Sequence, residues 1–427
     1  MTTSLPFTDH PVTAPNIDVT SVEFWGRTFA ERDKTFAWLR ENAPVSWHKP
    51  MERPHFKPDD SEKGFWALVK SADIAFVSQN HEIFSSDQDS ARGVMFPPID
   101  RETVGAPTFL VMDPPYHTRY RQVISSAFTP KAVKRLREKI EERAEQIVGR
   151  VVGAGEFDFV EEVASKLPML TVADLVGVPE SLVEEFAKAG DNFVNAGDPD
   201  ECPADLTPAE YAMQQMERLS EIGNDLVNFR RENPADDIAT ALANAEFDGK
   251  PLSELEIAST MVLLSVAGND TTKQTTSHTA LSLHKNPDQK RWLTEDFDGR
   301  IAQSIEEFIR HASPVQNFAR TATQDFELGG TQLKRGDKVV MFYGSGNRDE
   351  DVFEDPHRFD LQRSFTNNHV SFGGGGVHYC LGHMVAKAQL RALYSQILTK
   401  LPAMEVGEPV YLFSDFINGI KHLPVRV

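Results

Sequence analysis

The spacing of apolar and polar positions predicts a chain dominated by helices, with a minor share of short strands. Helical spacing occurs at Val22–Asn42, near Ala72, after Pro114–Pro115, at 131–152, at Ile301–Ala312 and at His383–Lys400. Strand-like runs occur at Val45–His48, Gly64–Val69, Phe326–Leu328, Lys338–Phe342 and in a short C-terminal tail. Because residues 1–20 read as an extended arm, we predict a single domain over 21–427.

The longest helical pattern begins at a capping box, Ser253–Glu256, and continues to about Lys285, before Pro287. Its apolar residues make it the central helix of the predicted fold. Three segments read as irregular: 85–112, Ala189–Pro208 and Gly344–Asn368. Long loops in compact domains are often functional. Ala189–Pro208 reads either as a lid over a binding site or as a plain surface loop.

Composition narrows the classes of function. The 427 residues carry a formal net charge of −20, which argues against nucleic acid and anionic membrane surfaces as partners. No apolar run is long enough to span a bilayer, and the N-terminal residues lack the regions of a signal peptide. The two cysteines lie far apart and give no disulfide framework. These features predict a cytoplasmic protein without a membrane anchor.

A cysteine between a glycine run and a helix start carries the main chemical signal. It lies in Phe372–Gly382, which reads FGGGGVHYCLG. The N–H groups and dipole of a helix start favour a thiolate at Cys380. The glycines leave room for a flat, bulky group beside the backbone. A soft thiolate in this position suits a metal centre such as haem iron.

Simpler interpretations stay open from these residues alone. Cys380 can be a buried small apolar residue, and the glycines can form an ordinary turn. His378, Cys380 and His383 can form a zinc site, although no second cluster with ligand spacing supports it. A nucleophile–base pair of Cys380 and His378 is the remaining alternative.

The stretch resembles the haem-binding loop of the cytochrome P-450 family, which are haem-thiolate monooxygenases. Gly376, His378, Cys380 and Gly382 match the family pattern F-x-x-G-x-H/R-x-C-x-G. Phe372, which in the family packs beside the thiolate, lies one residue further away because the glycine run is longer. This departure resembles a bacterial subset acting on sterol side chains, terpenoids and methyl-branched lipids.

The resemblance implies the cytochrome P-450 triangular-prism fold, mainly α with a minor β region. It also implies the cofactor haem b, with Cys380 as the axial ligand of the iron. Phe372, Gly376, His378 and Gly382 would complete the cofactor-binding loop.

A second motif, AGNDTT, covers Ala267–Thr272 in the long central helix. By itself it reads as an exposed polar turn. Beside a haem-thiolate loop it resembles the oxygen-binding groove of the family, formed by Ala267 and Gly268, where Gly268 opens a local distortion of the helix. The resemblance implies that Thr271 hydrogen-bonds the bound oxygen, and that Asp270 faces a water path and relays protons.

Further cationic and polar residues match the family's ligands of the two haem propionates. They are His117 and Arg121 in HTRYR, Arg320 in FARTA, and His378. Charge-assisted hydrogen bonds from these side chains would offset the partial burial of the carboxylates.

Glu307 and Arg310 form the motif E-x-x-R on one predicted helix. By itself this is a surface ion pair. The resemblance implies a structural pair linked to an arginine in DPHRFD, Arg358.

The implied reaction inserts one oxygen atom of O₂ into a C–H bond of an apolar substrate: a terpenoid, a steroid or a methyl-branched lipid. Electrons from NAD(P)H would arrive through a ferredoxin reductase and a ferredoxin, and the enzyme would be a monomer. Predicted substrate contacts lie in 92–110, 189–215 and 260–267. The predicted ferredoxin-docking patch consists of Arg119, Lys131, Lys134, Arg135 and Lys387.

Three alternative functions are a fatty-acid peroxygenase, a haem-binding sensor or carrier without turnover, and a zinc hydrolase. The Asp270–Thr271 pair suits O₂ activation, which neither a peroxygenase nor a carrier needs. An absorption spectrum with metal analysis distinguishes all of these.

Overall fold

The computed structural model describes residues 8–52, 63–87, 108–364 and 369–427. Helices dominate the described part of the chain. Their bounds are α1 Val22–Trp25, α2 Phe29–Asn42, α3 Ser71–Gln79, α4 Tyr116–Ser125, α5 Pro130–Arg150, α6 Lys166–Val176, α7 Val183–Val194, α8 Pro208–Glu232, α9 Ile238–Ala243, α10 Glu254–Lys285, α11 Pro287–Glu295, α12 Phe297–Ala312, α13 Tyr343–Gly346 and α14 His383–Lys400.

The strands are short. They are β1 Val45–His48, β2 Phe65–Leu68, β3 Phe84–Ser85, β4 Glu156–Asp158, β5 Glu246–Phe247, β6 Lys250–Pro251, β7 Asn317–Ala322, β8 Phe326–Leu328, β9 Thr331–Leu333, β10 Lys338–Phe342, β11 Glu405–Val406, β12 Val410–Tyr411, β13 Ile420–His422 and β14 Pro424–Arg426. The largest sheet has the order β1-β2-β10-β7-β3 and is antiparallel except for the β2–β10 pair. Smaller sheets join β11-β14-β4 and the pairs β5-β6, β8-β9 and β12-β13.

The central helix α10 is buried along most of its length and begins at the predicted capping box of Ser253 and Glu256. Small residues allow neighbouring helices to approach it closely. A Cβ atom on Gly190 of α7 would lie 2.2 Å from Ser265 Oγ, and one on Gly223 of α8 would lie 2.4 Å from Met261 Cγ. Because such contacts leave no room for a side chain, α7 and α8 are fixed tightly against α10.

The predicted dominance of helix with a minor β part is confirmed, and β1, β8, β10 and α14 have the predicted bounds. The single helix predicted over Val22–Asn42 is wrong, because Thr28 caps a new helix there with Glu31 in a capping box. The loop predicted over Ala189–Pro208 is shorter, 195–207, because α7 continues to Val194. Helices α6 and α8 and strand β7 are additional to the elements predicted from the sequence.

Parts of two predicted loops lie outside the described residues, namely 88–107 and 365–368. The described part of the predicted arm packs on the fold. The backbone N–H of Thr13 donates to the carbonyl of Trp47 at 3.1 Å, and Val19 is fully buried. The division into an arm and one domain stays a prediction.

The E-x-x-R pair is buried, with Arg310 Nε 2.7 Å from Glu307 Oε2. The predicted side-chain link to Arg358 is wrong. The side chain of Phe359 is buried and the neighbouring Arg358 is exposed, so Arg358 contributes only its carbonyl, at 3.2 Å from Arg310 Nη2. The second cation at Glu307 is Arg363, whose Nε lies 3.3 Å from Oε2.

Candidate active site

The glycine run forms a tight loop that positions Cys380. All four glycines, Gly373–Gly376, have positive φ values between 72° and 108°, which side chains rarely allow. A Cβ on Gly376 would lie 2.1 Å from the carbonyl oxygen of Ser78 in α3. The loop then closes through a hydrogen bond from the N–H of Cys380 to the carbonyl of Phe372, at 3.0 Å.

The sulfur of Cys380 lies at the wall of a cavity and is partly exposed to it. Burial raises the pKa of the thiol, whereas the N–H of Gly382, Arg121 and the N–H of His383 act to lower it. The same donors that oppose the shift would stabilise a thiolate bound to a metal. The site is therefore suited to a metal-bound thiolate more than to a free nucleophile.

Phe372 packs beside the cysteine loop although the glycine run is one residue longer than in the family pattern. Its ring centroid lies 6.0 Å from that of Tyr379 and 5.9 Å from that of His383. The ammonium of Lys387 lies 5.4 Å from the same ring. Since Phe372 also lines the cavity, the ring packs between the cysteine loop and α14.

The zinc and nucleophile interpretations find no support in the described part of the chain. No three His, Cys, Asp or Glu side chains there are arranged to hold a metal ion. His383 Nδ1 instead lies 2.9 Å from the carbonyl oxygen of Cys380, and His378 Nε2 has no hydrogen-bond partner among the described residues.

The cavity has a volume of about 680 Å³ and a mainly apolar lining. Its walls include parts of the predicted contact regions 92–110, 189–215 and 260–267, with residues from 108–110, 193–212 and 262–267. Positions 92–107 of the first predicted region lie outside the described residues. The sequence analysis missed Phe318 and the segment Phe413–Ile417, which also line the cavity.

Four predicted propionate ligands lie close together at this cavity. The ring centroids of His117 and His378 are 4.4 Å apart, and Arg121, Arg320 and His378 line the cavity wall. Arg121 Nη2 donates to the carbonyl of Tyr379 at 2.6 Å, which ties α4 to the cysteine loop. The structure thus brings together residues from α4, β7 and the cysteine loop.

The two histidines of this cluster have unsatisfied ring nitrogens. Both ring nitrogens of His117 and Nε2 of His378 are buried without a hydrogen-bond partner in the described structure. Burial, and after it Arg121, lowers the pKa of His117 to about 4. Burial, and after it Arg320, lowers the pKa of His378 well below its usual value. Two carboxylates would supply the missing hydrogen-bond acceptors and would offset the positive charges of Arg121 and Arg320.

Ala267, Gly268 and Thr271 form the wall that α10 contributes to the cavity. The hydroxyl of Thr271 donates to the carbonyl of Ala267 at 2.9 Å. The predicted distortion at Gly268 is absent, because α10 is a continuous α-helix from Glu254 to Lys285. Gly268 is needed for packing instead, since a Cβ there would lie 2.4 Å from Val172 Cγ2 in α6.

Asp270 does not face a water path as predicted, because it is completely buried. Its Oδ1 lies 2.7 Å from the ammonium of Lys273, which also lies 2.7 Å from Asp191 Oδ2 in α7. Although burial acts against it, Asp191 and Asp270 raise the pKa of Lys273. The buried cation thus holds Asp270 on the side of α10 away from the cavity wall.

Known proteins are similar to this chain in sequence and in fold. The cytochrome P-450 family model matches residues 203–403. A methyl-branched lipid omega-hydroxylase of Mycobacterium tuberculosis is 38% identical over 414 residues, which are 96% of this chain and 94% of the relative. The chain belongs to the cytochrome P-450 family. A steroid C26-monooxygenase of Mycolicibacterium smegmatis is 37% identical over 392 residues, which are 91% of this P-450 and 89% of the relative.

The fold agrees as well. The solved structure of a Mycobacterium marinum cytochrome P-450 in complex with pseudoionone is 43% identical and has a TM-score of 0.94. It covers 99% of this chain and 100% of its own. The predicted P-450 fold is confirmed, and the chain is a cytochrome P-450 monooxygenase. Among the described residues, no helix combines the length and apolar character needed to cross a membrane.

The family implies haem iron as cofactor, and the residues present fit it. Cys380 offers a soft ligand at the cavity wall, and although burial raises the pKa of its thiol, the nearby Arg121 favours the thiolate. The unpartnered nitrogens of His117 and His378 are suited to the two propionates. The loop of Gly373–Gly376 presents a backbone without side chains, which a flat macrocycle can approach.

Proposed function

We propose that this P-450 monooxygenase uses haem b to hydroxylate an apolar terpenoid, steroid or methyl-branched lipid near a chain end. Its electrons would come from NAD(P)H through a ferredoxin reductase and a ferredoxin. Support for the substrate class comes from the largely apolar cavity and from the named activities of the relatives. A cytoplasmic location and a monomeric state stay predictions.

Haem, when bound, supplies the activation of O₂ and the oxidation of the C–H bond. Cys380 would hold the iron as a thiolate, stabilised by the N–H groups of Gly382 and His383. His117, Arg121, Arg320 and His378 would hold the propionates. Together these residues would orient the cofactor in the cavity.

Thr271 acts at the cavity wall. Because its hydroxyl donates to the carbonyl of Ala267, its oxygen is free to accept a hydrogen bond from a group in the cavity. Asp270 and Lys273 form a buried ion pair behind this wall, one residue along α10 from Thr271. On rotating away from Lys273, the Asp270 carboxylate would accept a proton from water and pass it to Thr271, which makes Lys273 a positioning residue for proton delivery.

One observation carries the proposal: Cys380 lines an apolar cavity that also borders a cluster of Arg121, Arg320, His117 and His378, in which three buried imidazole nitrogens have no partner among the described residues. The test is the absorption spectrum of the reduced protein under carbon monoxide. We expect the red-shifted band of thiolate ligation, and we expect Cys380→Ser to lose it. Purified protein that contains zinc and no haem would refute the cofactor assignment.

Substrate class is tested separately, by the spin-state shift of the haem band. A sterol, a terpenoid ketone and a methyl-branched lipid would be compared with an unbranched fatty acid. We expect the first group to shift the band and to be hydroxylated with NAD(P)H, ferredoxin and reductase present. Turnover of the fatty acid with hydrogen peroxide alone would favour the peroxygenase alternative.

A further inference from the structure

The loop of residues 195–207, between α7 and α8, closes one side of the cavity. Ala196, Gly197 and Pro199 line the cavity from this loop, and Phe413–Ile417 line it from the segment between β12 and β13. These two walls come from parts of the chain that are distant in sequence. Separation of the two segments would therefore open the cavity.

Asp198 joins the two segments. It is 1% exposed, and its Oδ2 accepts the backbone N–H of Phe413 at 3.0 Å. Its Oδ1 lies 2.6 Å from the ammonium of Lys421 in β13. Lys421 also reaches Asp200 at 2.9 Å. Because Asp198 and Lys421 are both shielded from water, their attraction is much stronger than that of a surface pair.

The loop has few other attachments. Apart from its flanking helices, all the hydrogen bonds and ion pairs found between residues 195–207 and the rest of the described structure go to Phe413 and Lys421. The remaining bonds are turns within the loop, such as the N–H of Glu201 to the carbonyl of Asp198 at 3.1 Å. A loop without helix or strand that is held at one point is released when that point opens.

We propose that Asp198 and Lys421 form a latch that sets the rate at which bulky ligands enter and leave the cavity. The paired state holds the loop against Phe413 and closes the cavity. In the unpaired state the two carboxylates and the ammonium are hydrated and the loop moves outward. The latch goes beyond the proposed function, because it acts on any bulky ligand regardless of the substrate.

The experiment uses the haem-loaded enzyme and stopped-flow absorbance. The bulky probe is 4-phenylimidazole, which binds haem iron, and the small probe is carbon monoxide. Lys421→Met removes the cation while keeping a side chain of similar length. The control is Arg426→Met, which removes an exposed pair with Glu405 in the neighbouring sheet.

For Lys421→Met we expect the association and dissociation rate constants of 4-phenylimidazole to rise together, by about fivefold or more, with Kd changed by less than about twofold. Carbon monoxide binding should be unchanged, and Arg426→Met should match the parent enzyme. Equal changes in both rates indicate a lowered barrier without a change in the bound state. Unchanged rates, or a rise in dissociation alone, would overturn the latch.

A second variant keeps the test decisive if Lys421→Met fails to bind haem. Asp198→Asn retains an oxygen that accepts the N–H of Phe413 and removes the charge that holds Lys421. We expect the same parallel rise in both rate constants, of smaller size. Parent-like exchange of 4-phenylimidazole in folded, haem-loaded Asp198→Asn would refute the proposal.

Discussion

Thr271 and Asp270 are adjacent in sequence, but the fold places them in different surroundings. Thr271 lines the cavity, and its hydroxyl oxygen can accept a hydrogen bond there. Asp270 is buried behind the wall and paired with Lys273. Since Thr271 lines the cavity and Asp270 does not, substitutions at the two positions should impair catalysis in different ways.

We expect Thr271→Ala to keep consuming NAD(P)H and O₂ but to divert much of the flux to hydrogen peroxide, because alanine cannot exchange a proton with oxygen in the cavity. Asp270→Asn should slow O₂ consumption itself, because the amide cannot deliver a proton. The measurement is product, peroxide and NAD(P)H under one set of conditions. Both variants should retain haem and the carbon monoxide band.

Thr276→Ala is the matched control for this comparison. Thr276 lies on the same helix and makes the same kind of hydroxyl bond, to the carbonyl of Thr272 at 2.8 Å, but it is fully buried. Its substitution should leave coupling unchanged. If Thr271→Ala converted NAD(P)H to product as completely as Thr276→Ala, Thr271 would have no part in the mechanism.

At the scale of elements, a buried charge cluster joins α7 to α10. Lys273 contacts Asp270 on its own helix and Asp191 on α7, and Asn269 Nδ2 donates to Asp191 Oδ1 at 2.7 Å. Removing the cation would leave the buried carboxylate of Asp270 and the partly buried carboxylate of Asp191 without a counter-charge. The cluster therefore contributes to holding α7, one wall of the cavity, in place.

We expect Lys273→Met to lower the free energy of unfolding by about 3–5 kcal/mol, the usual effect of breaking a buried ion pair on one side. Lys285→Met, at the exposed end of the same helix, should change it by less than about 0.5 kcal/mol. Urea unfolding of the two haem-loaded variants measures the difference. Equal free energies of unfolding for the two variants would show that the cluster is hydrated and does not stabilise the fold.

The elements of this fold differ in how far the sequence predicts them. The capping box of α10 and the loop around Cys380 depend on residues near one another in the chain, so spacing alone located them. The ion pair of Lys273 with Asp270 is also local and was missed, although its i, i+3 spacing was visible. Asp191 lies 82 residues from Lys273, and Phe413–Ile417 reach the cavity from a tail without a motif. Such contacts follow only from the packing of the whole chain.

At the scale of the whole molecule, Glu307 connects α12 to the segment that leads into the cysteine loop. Arg310 and Arg363 both approach its carboxylate. Arg363 also donates to the carbonyls of Glu354 at 2.5 Å and Asp355 at 3.1 Å. Arg358, which the motif indicates, is exposed and contributes its backbone alone.

We expect Arg363→Met to lower the free energy of unfolding by about 1–3 kcal/mol, because it removes one of the two cations that approach the buried carboxylate of Glu307. Arg358→Met should stay within about 0.5 kcal/mol of the parent. The measurement is urea unfolding, followed by the haem absorption and by circular dichroism. A larger loss from Arg358→Met would restore the interpretation based on the motif.

The surface charge of the whole molecule bears on electron delivery. Although the net charge is −20, the predicted docking patch is basic. Within it, Arg119, Arg135 and Lys387 are already paired with Asp248, Asp236 and Glu306. Lys131 and Lys134 are exposed, and no ion pair is found for either among the described residues. These two lysines on α5 are therefore the part of the patch that is available to an acidic ferredoxin.

We expect the double variant Lys131→Gln, Lys134→Gln to raise KM for an acidic ferredoxin about three- to tenfold at low salt, because steering by unpaired charges is lost. Arg119→Gln, whose charge Asp248 already offsets, should have a much smaller effect. The difference should vanish near 1 M salt, where the Debye length is about 3 Å. The measurement is ferredoxin-supported turnover as a function of ionic strength. If the double variant and Arg119→Gln behaved alike at every salt concentration, the ferredoxin would dock elsewhere on the molecule.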